Sequence, residues 1–315
     1  MALTSGQGGA QTPLIRIGTR GSKLALAQAH ETRNRLMAAH GFGEDAIAIV
    51  TITTTGDRIR DRPLSEIGGK GLFTKEIEEA LFSGAIDLAV HSMKDMPAVI
   101  PDGLAITGYL PREDARDALV SPVAKRIDAL PKGAVVGTSS VRRAAQLLRR
   151  RPDLKIVPFR GNVDTRIRKL EAGDVQATIL ACAGLNRLGL SLPQATPIAI
   201  EEMLPAVAQG AIGLEIRAHD DRMRQMIAAI NDAQTQTRVI CERAFLAALD
   251  GSCRTPLAGH ATVEGMQIRF HGEALSEDGS SCFESLRVGS SGEAERLGRD
   301  AGEEVKALGG AAIAY

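Results

Sequence analysis

The chain contains one cysteine whose surroundings favour thiol chemistry. Cys253 follows Asp250-Gly251-Ser252 and precedes Arg254-Thr255-Pro256. Glycine, serine and proline around a residue are typical of an exposed, tightly turned loop. A neighbouring arginine favours the thiolate, which is the form of cysteine that attacks or is alkylated. We therefore predict that Cys253 is a reactive residue in an exposed loop.

The other three cysteines have the settings of buried structural residues. Cys182 lies in an apolar run, Cys241 lies inside a predicted helix, and Cys282 lies in an alternating, strand-like segment. Cysteines in such settings pack as small hydrophobic residues. No Cys-x-x-Cys motif and no His/Cys pair has the spacing of metal ligands. We therefore expect neither a zinc site nor a disulfide framework.

Basic residues recur beside glycine, serine or threonine where predicted strands end or helices begin. In an open α/β sheet, ligands gather at the carboxyl ends of strands and at helix N-termini. Cations dispersed over several such loops are typical of a site for a ligand with many carboxylates or phosphates. Neither a P-loop nor a dinucleotide fingerprint follows the first strand, so nucleotide binding has little support. The basic segments are residues 18–23, 68–71, 91–95, 137–143 and 160–166.

The helix predicted over residues 139–151 carries arginines at both ends, and the two groups have different implications. Arg149, Arg150 and Arg151 lie in the last turn, where positive charge complements the helix dipole. Arg142 and Arg143 lie in the first turn, where each positive charge costs about 0.3–1 kcal/mol. A bound anion would offset this cost, so we predict a functional anion site at this pair. The spacing predicts a buried helix face formed by Val141, Ala144, Ala145 and Leu148.

Asp95 is an acidic residue within this basic set. It follows Lys94 at a strand end, where a carboxylate can accept hydrogen bonds, pass protons or stabilise a cation. A simple surface pair of Lys94 and Asp95 is the alternative, and the sequence does not decide between them. His91 is expected to be a satisfied core histidine. Phe73 either lines a cleft or anchors its helix, and we expect the core position.

The elements that position these residues indicate α/β structure. A chain of 315 residues exceeds the usual size of a single core, so two or three domains are expected. Short apolar runs alternate with helical patterns, which is typical of a largely parallel sheet. Strands are predicted over residues 14–18, 46–53, 86–91, 134–137, 156–159 and 177–181. Helices are predicted over residues 22–40, 71–83, 139–151, 234–249 and 293–308.

We predict that the chain forms three domains. The first α/β domain comprises residues 14–110 and 209–230, and the second comprises residues 111–208. Alternating segments over residues 257–288 predict a small antiparallel sheet in a C-terminal α+β domain, residues 231–315. Residues 1–13 are polar and are predicted to be a flexible extension rather than a signal peptide. With no run of about 18 apolar residues, a cytoplasmic protein without a membrane span is expected.

Four segments of the chain together resemble the porphobilinogen deaminase family, also called hydroxymethylbilane synthases. The most diagnostic is Glu242-Arg243 followed by Gly251-Ser252-Cys253-Arg254-Thr255-Pro256. The others are residues 91–95 (HSMKD), 137–143 (GTSSVRR) and 160–163 (RGNV). The resemblance extends from about Ile15 to the C-terminus. It implies two domains of the type II periplasmic-binding-protein kind and a third α+β domain.

The resemblance also implies an activity and a set of site residues. Cys253 would carry a dipyrromethane cofactor through a thioether. Four porphobilinogens would be condensed head to tail onto it, each with loss of ammonia, and hydrolysis would release hydroxymethylbilane. Asp95 would be the catalytic carboxylate, beside the pyrrole nitrogens. The residues implied to bind cofactor and substrate are Arg20, Ser22, Lys70, Phe73, Lys94, Thr138, Ser139, Ser140, Arg142, Arg143, Arg160, Arg166, Arg187 and Gln209.

This activity is consistent with the many basic loops, because every pyrrole of the product has two carboxylates that require basic partners. The enzyme is expected to be a cytoplasmic monomer that uses no metal and binds neither nucleic acid nor membrane. An anion-binding regulatory module is an alternative, but it would not need a reactive loop cysteine. A nucleic-acid binder is a second alternative. Nucleic-acid binding is disfavoured because the chain has 38 basic and 38 acidic residues, no tryptophan and only two tyrosines.

Overall fold

The computed structural model describes residues 13–58, 73–251, 255–310 and 313 of the chain. Within these residues, helices and strands form three units, each built around one sheet. The predictions made for residues 1–12, for Lys70 and for Cys253 fall outside the described residues.

The first unit is a five-stranded sheet with helices on its faces. Its strands are β1 (Ile15–Arg20), β2 (Ile47–Ile52), β3 (Leu88–Ser92), β4 (Leu104–Tyr109) and β10 (Ile212–Arg217). Its helices are α1 (Lys23–His40), α2 (Thr55–Arg58), α3 (Lys75–Phe82) and α7 (Asp221–Ala228). The spatial order is β2-β1-β3-β10-β4, and β2 and β3 run parallel to β1. The carboxyl ends of β1 and β3 therefore lie side by side.

The second unit repeats this arrangement. Its strands are β5 (Asp117–Val120), β6 (Val135–Gly137), β7 (Lys155–Val157), β8 (Ala177–Ala181) and β9 (Ala195–Pro197). Its helices are α4 (Val141–Arg150), α5 (Val163–Glu171) and α6 (Cys182–Arg187). The spatial order is β7-β6-β8-β5-β9, and β7 and β8 run parallel to β6. The ends of β6 and β8 thus present their loops on the same edge.

Each five-stranded sheet is largely parallel, as predicted, but contains one strand that runs in the opposite direction. In the first sheet β10 runs antiparallel to β3 and β4, and in the second β5 runs antiparallel to β8 and β9. Both of these strands adjoin a segment where the chain crosses between the two units. A strand that enters a sheet from the other unit arrives in the opposite direction, and no local sequence pattern encodes that direction.

The third unit is a three-stranded antiparallel sheet covered by two helices. It consists of α8 (Ala233–Ala248), β11 (Leu257–Glu264), β12 (Gln267–Leu275), β13 (Cys282–Ser290) and α9 (Ala294–Gly309). The strand order is β11-β12-β13. α8 and α9 approach closely at Gly298 and Gly302, because these glycines have no side chain that would overlap the backbone of α8. The fold class expected from the sequence, two α/β units and a C-terminal α+β unit, is confirmed.

The core of the third unit extends into the segments that join the other two. The rings of Phe245 and Phe270 lie with their centroids 5.1 Å apart at its centre. The same cluster contains Met93, Met96 and Val207, all at most 7 % exposed. The third unit is therefore packed against the turn that carries Asp95. The exact domain boundaries given above stay a prediction.

The predicted buried face of α4 is largely wrong. Ala145 is buried, but Arg142, Arg143, Gln146 and Leu147 accompany it instead of the other apolar residues of the predicted face. The reason lies in tertiary partners of the polar side chains. Gln146 exchanges two hydrogen bonds with the backbone of Leu204, and the arginines meet a buried carboxylate described below. Hydrophobic periodicity does not register such partners.

Candidate active site

A pocket lies where β1 and β3 end, at the edge of the first sheet. Loops that follow adjacent parallel strands converge at this edge, which is where α/β proteins place their ligands. Side chains from β1, α1, β3 and the start of α3 form its walls. The lining residues are Arg20, Ser22, Leu24, Ala25, Gln28, Phe73, Thr74, Val90, His91, Ser92, Asp95 and Met96.

Asp95 is held at this pocket by a short 3-10 turn, Met93–Asp95, that directly follows β3. Met93 and Met96 are 1 % and 4 % exposed and anchor both ends of the turn in the core of the third unit. With these neighbours buried, Lys94 and Asp95 project outward and are exposed. Among the described residues, Asp95 makes no hydrogen bond, so its carboxylate remains available to a ligand.

Arg20 and Phe73 form one side of the pocket. The Arg20 guanidinium lies 4.2 Å from the centroid of the Phe73 ring, and its Nε donates to Asp57 Oδ2 over 3.2 Å. Burial raises the pKa of Asp57, but hydrogen bonds from Arg20 and Thr54 outweigh it and lower the pKa overall. Phe73 thus lines the pocket, which was the less favoured of its two predicted positions.

Arg142 and Arg143 occupy the first turn of α4, as predicted, but they are buried against a carboxylate of the protein itself. The Nη2 atoms of the two arginines lie 2.7 and 2.6 Å from the two oxygens of Asp117. Desolvation opposes ionisation of Asp117, yet the charges of Arg142 and Arg143 hold its pKa far below the ordinary range. Asp117 is therefore the anion that offsets the cost of placing Arg142 and Arg143 at the helix N-terminus. Their position on the helix by itself does not imply a bound ligand.

Two further cations, Arg166 and Lys94, lie within electrostatic range of this pair. Burial, together with the charges of Arg143 and Arg160, lowers the pKa of Arg166 to about 10. Lys94 is solvent-accessible at the cleft surface although dense protein surrounds it. Desolvation lowers its pKa to about 8, with Arg143 contributing in the same direction. Both side chains are therefore cations that burial disfavours, and a bound anion would stabilise their charge.

The hydroxyl groups before α4 hold the local backbone. Thr138 Oγ1 accepts from the Ser140 N–H over 3.1 Å, and Ser139 Oγ accepts from the Phe159 N–H over 2.9 Å. Ser140 caps α4 through the N–H of Arg143, as Ser22 caps α1 through the N–H of Ala25. Each of these hydroxyl hydrogens can still be donated to a ligand.

Gln209 joins the two walls of the cleft. Its Oε1 lies 3.5 Å from Lys94 Nζ, and its Nε2 donates to Asp117 Oδ1 over 2.9 Å and to the Ala115 carbonyl. The residue is 1 % exposed and lies on the segment where the chain crosses back to the first unit. Gln209 therefore fixes the position of Lys94 relative to the arginines of α4.

Arg187 lies where α1 of the first unit approaches α6 of the second. Its Nη2 donates to the Gly210 carbonyl over 2.8 Å, and its Nε is 3.7 Å from Glu31 Oε2. Burial lowers the pKa of Arg187, although Glu31 acts against that shift. On the same side, Lys23 Nζ lies 2.7 Å from Asp164 Oδ2 across the cleft. These pairs hold the two units in contact at the mouth of the cleft.

A second buried ion pair ties the crossing segments to the third unit, and sequence reasoning missed it. Arg112 Nη1 lies 2.6 Å from Glu242 Oε1, with side-chain exposures of 4 % and 0 %. Glu242 also accepts from the N–H groups of Ala208 and Ala261. Sequence reasoning missed Asp117 as well. Asp117 and Glu242 each lie beside an apolar stretch of the sequence, which indicates a buried charge. The sequence does not show which arginine pairs with each of them.

The described cysteines are poor nucleophiles. Burial raises the pKa of Cys182 to about 11 and that of Cys241 to about 12. Cys282 is half-buried, and burial with the nearby Glu273 carboxylate raises its pKa to about 12. Their thiolates are therefore scarce near neutral pH. Cys253 lies outside the described residues, but it is the remaining cysteine of the sequence.

Comparison with known proteins yields two family-model matches that together span most of the chain. Residues 15–225 match the "Porphobilinogen deaminase, dipyromethane cofactor binding domain" and residues 236–307 match the "Porphobilinogen deaminase, C-terminal domain". The chain belongs to the porphobilinogen deaminase family. The porphobilinogen deaminase of Paracoccus denitrificans is 60 % identical over 93 % of each chain. That of Nitrobacter hamburgensis is 54 % identical over 94 % of each.

Solved structures with similarity to this porphobilinogen deaminase family member include periplasmic domains. The VFT2 domain of Bordetella pertussis BvgS matches with a TM-score of 0.42 and 12 % identity, covering 69 % of this chain and 86 % of that one. An arginine-specific periplasmic binding protein of Salmonella typhimurium matches with a TM-score of 0.39 and 12 % identity, covering 70 % and 92 %.

Family membership establishes the activity class predicted from the sequence. The chain is a transferase of tetrapyrrole biosynthesis, and it contains the family's dipyrromethane cofactor-binding domain. Within the part of the chain that the structure describes, no helix is long and apolar enough to cross a membrane.

Proposed function

We propose that the cleft between the first two units holds a polycarboxylate pyrrole chain, with Asp95 acting on the reacting ring and the α4 arginines holding its carboxylates. The observation that carries this proposal is the pairing of opposite electrostatics within one cleft. Asp95 is exposed and without a hydrogen bond to a described residue, while Lys94 and Arg166 have depressed pKa values. Such cations gain most from an added anion.

The residues of this cleft fit a dipyrromethane. Each of its two pyrroles carries two carboxylates. The wall of the second unit offers Arg142, Arg143, Arg160 and Arg166, and Lys94 faces them from the turn after β3. Arg20 and Ser22 at the pocket, with Arg187 at the cleft mouth, extend this donor set. When bound, the cofactor supplies the free pyrrole carbon to which the first porphobilinogen is joined. Cys253, by a thioether, is the proposed point of attachment.

Each protein group in the cleft has a defined task in the condensation. The cationic side chains bind the acetate and propionate groups of porphobilinogen and orient its ring. Asp95 accepts hydrogen bonds from pyrrole N–H groups and stabilises the azafulvene cation that forms when ammonia leaves porphobilinogen. Phe73, under the Arg20 guanidinium, shields one side of the pocket from water. Four such condensations and a hydrolysis release hydroxymethylbilane.

The proposed working form is a cytoplasmic monomer. Both crossing segments, the Asp95 turn and the third unit meet within one chain through Gln209 and the Arg112–Glu242 pair. The site therefore needs no residue from a second copy. Size-exclusion chromatography with light scattering tests the monomer, and cell fractionation tests the compartment.

Intact-mass measurement tests the proposed attachment at Cys253. The wild-type protein is expected to be heavier than its sequence by two linked pyrrole units, and Cys253→Ser is expected to lack this addition. Cys282→Ser is the matched control, because Cys282 is the least buried of the other cysteines and should leave the addition in place. A wild-type protein that is fully active without any added mass would contradict the proposal.

A further inference from the structure

Behind the pocket lies a cluster of buried ionisable side chains that the proposed function leaves without a role. His91 Nε2 is 2.9 Å from Glu215 Oε2, and the two side chains are 5 % and 0 % exposed. Glu78 of α3 lies beside them, since both Glu215 and His91 influence its pKa electrostatically. Thr74, at the start of α3, lines the pocket together with His91. From the sequence, His91 was expected to be a satisfied core histidine.

The cluster contains polar atoms that have no hydrogen-bond partner in the described part of the chain. These buried atoms are Glu215 Oε1, Glu78 Oε1 and Thr74 Oγ1. A buried polar atom without a partner is costly, so such atoms often lie where they serve a function. Burial raises the pKa of the Glu78 carboxyl, while nearby Thr74 acts in the opposite direction and the Glu215 carboxylate raises it further. The buried carboxylates of this cluster are therefore close enough to influence one another's charge.

The geometry makes His91 the member that connects this cluster to the pocket. His91 is on β3 and lines the same pocket as Asp95, while its Nε2 faces Glu215 on β10. Within the described residues its imidazole forms no hydrogen bond other than the one to Glu215. With the Nε2 proton donated to the Glu215 carboxylate, Nδ1 carries a lone pair. A buried carboxylate behind an imidazole orients the ring and stabilises its protonated form.

We propose that His91, backed by Glu215 and Glu78, is the proton acceptor of the condensation step. This inference rests on the proposed function and deepens it. Loss of ammonia breaks the C–N bond of the aminomethyl group of porphobilinogen and leaves a cation. The free α-carbon of a pyrrole ring then forms a bond to the methylene carbon and must lose its hydrogen as a proton. The aminomethyl group leaves as ammonia from its protonated form. His91 takes the proton lost from carbon and passes it to solvent, where the released ammonia becomes ammonium, so nothing is oxidised or reduced.

This assignment divides the acid–base chemistry between two residues of one pocket. Asp95 stabilises the cation beside the pyrrole nitrogens, while His91 accepts the proton that leaves carbon. The charged groups around His91 are Glu215 on β10, Glu78 on α3, Asp95 after β3 and Arg20 at the end of β1. Arg243 on α8 also acts on Glu215. The acidic members hold an imidazolium in the pocket wall during each turnover.

The kinetic test replaces His91 with glutamine, which can still donate a hydrogen bond to Glu215 but cannot take up a proton. We expect His91→Gln to lower the single-turnover rate of condensation by about 10²-fold. With porphobilinogen deuterated at its free α-carbon, the variant should show a larger isotope effect than wild type, since proton removal becomes slower. The acidic limb of its pH–rate profile should also change. Intact mass confirms that the variant carries cofactor.

His271→Gln is the matched control. His271 Nε2 also pairs with a carboxylate, 3.1 Å from Glu284 Oε2, but on the third unit away from the pocket. It should keep wild-type rate and isotope effect. A His91→Gln rate within about threefold of wild type, with an unchanged isotope effect, would overturn the proposal. Wild-type protein that does not consume porphobilinogen would instead overturn the proposed function.

A measurement independent of turnover covers the case in which His91→Gln does not fold. Nitrogen NMR of histidine-labelled wild-type protein should show His91 with its proton on Nε2 and should show uptake of a second proton as the solution is acidified. Glu215→Gln removes the negative charge, so that uptake should need a more acidic solution. An imidazole that never gains a proton across the working pH range of the enzyme would exclude it as the acceptor.

Discussion

The two walls of the cleft differ in the charge of their side chains. On the wall formed by β3, Asp95, His91, Glu215 and Glu78 concentrate acidic and proton-accepting groups at a pocket. On the wall formed by α4 and α5, Arg142 and Arg143 pair with the buried carboxylate of Asp117, and Arg166 lies near Arg143. Under the proposed function, the first wall stabilises a cation and the second holds carboxylates. Such a division would let one cleft bind a polyanion while its chemistry proceeds through a cation.

The largest effect is expected at Asp117, the internal anion of the basic wall. Asp117→Asn leaves two buried arginines without their charge partner and should lower the free energy of unfolding by about 3–5 kcal/mol. The pKa of Asp117 is depressed in the fold, so its contribution is present above the ordinary aspartate pKa of about 3.9. That contribution is lost as the pH falls below this value toward the folded pKa. Urea denaturation of both proteins between neutral and acidic pH measures the loss.

A comparison of protein with and without cofactor sharpens this prediction. If cofactor carboxylates reach the same arginines, the cofactor-loaded variant should lose less stability than the cofactor-free variant. Equal losses in the two forms would show that Arg142 and Arg143 serve the fold alone.

On the acidic wall, Asp95→Asn should lower turnover by about 10²-fold or more while the fold is retained. The amide keeps the shape of the side chain and much of its hydrogen bonding, but it cannot stabilise a cation. Because Asp95 is exposed and its neighbours Met93 and Met96 are the buried anchors, stability should change little. Asp95→Glu should keep partial activity. Turnover of both variants is measured after circular dichroism has confirmed that they are folded. Asp95→Asn activity within a few-fold of wild type would show that the catalytic carboxylate lies elsewhere.

A smaller effect is expected from Arg166→Gln, with Arg150→Gln as its control. Burial, with repulsion from Arg143 and Arg160, lowers the pKa of Arg166, so removing its charge should not destabilise the cofactor-free protein. It should raise the KM for porphobilinogen by about tenfold, a loss of about 1.4 kcal/mol in binding, in keeping with a charged hydrogen bond. Arg150 pairs with Asp128 on the outer surface, and its loss should cost at most about 1 kcal/mol of stability and leave KM unchanged. Equal KM changes in both variants would refute the assignment of carboxylate binding to the basic wall.

Much of the site could be predicted from local sequence. The exposed turn at Asp95, the basic loops after β1 and β6, and the three-unit architecture all follow from strand ends, helix starts and hydrophobic alternation. The isolated setting of Cys253 and the family motifs belong to the same local information. These features depend on residues a few positions apart, so a sequence read in order contains them.

Other features depend on partners far apart in the chain, and only the tertiary structure determined them. The helix dipole predicted a bound anion at Arg142 and Arg143. Instead Asp117, the first residue of the antiparallel strand β5, supplies that negative charge. His91 was expected to be an ordinary core residue, and its pairing with Glu215 joins residues 124 positions apart. Strand direction, the buried face of α4 and the protonation of a buried cluster all arise from such long-range contacts. The sequence alone determined which groups can do chemistry, and the packing of three units decided which of them face a ligand and which face each other.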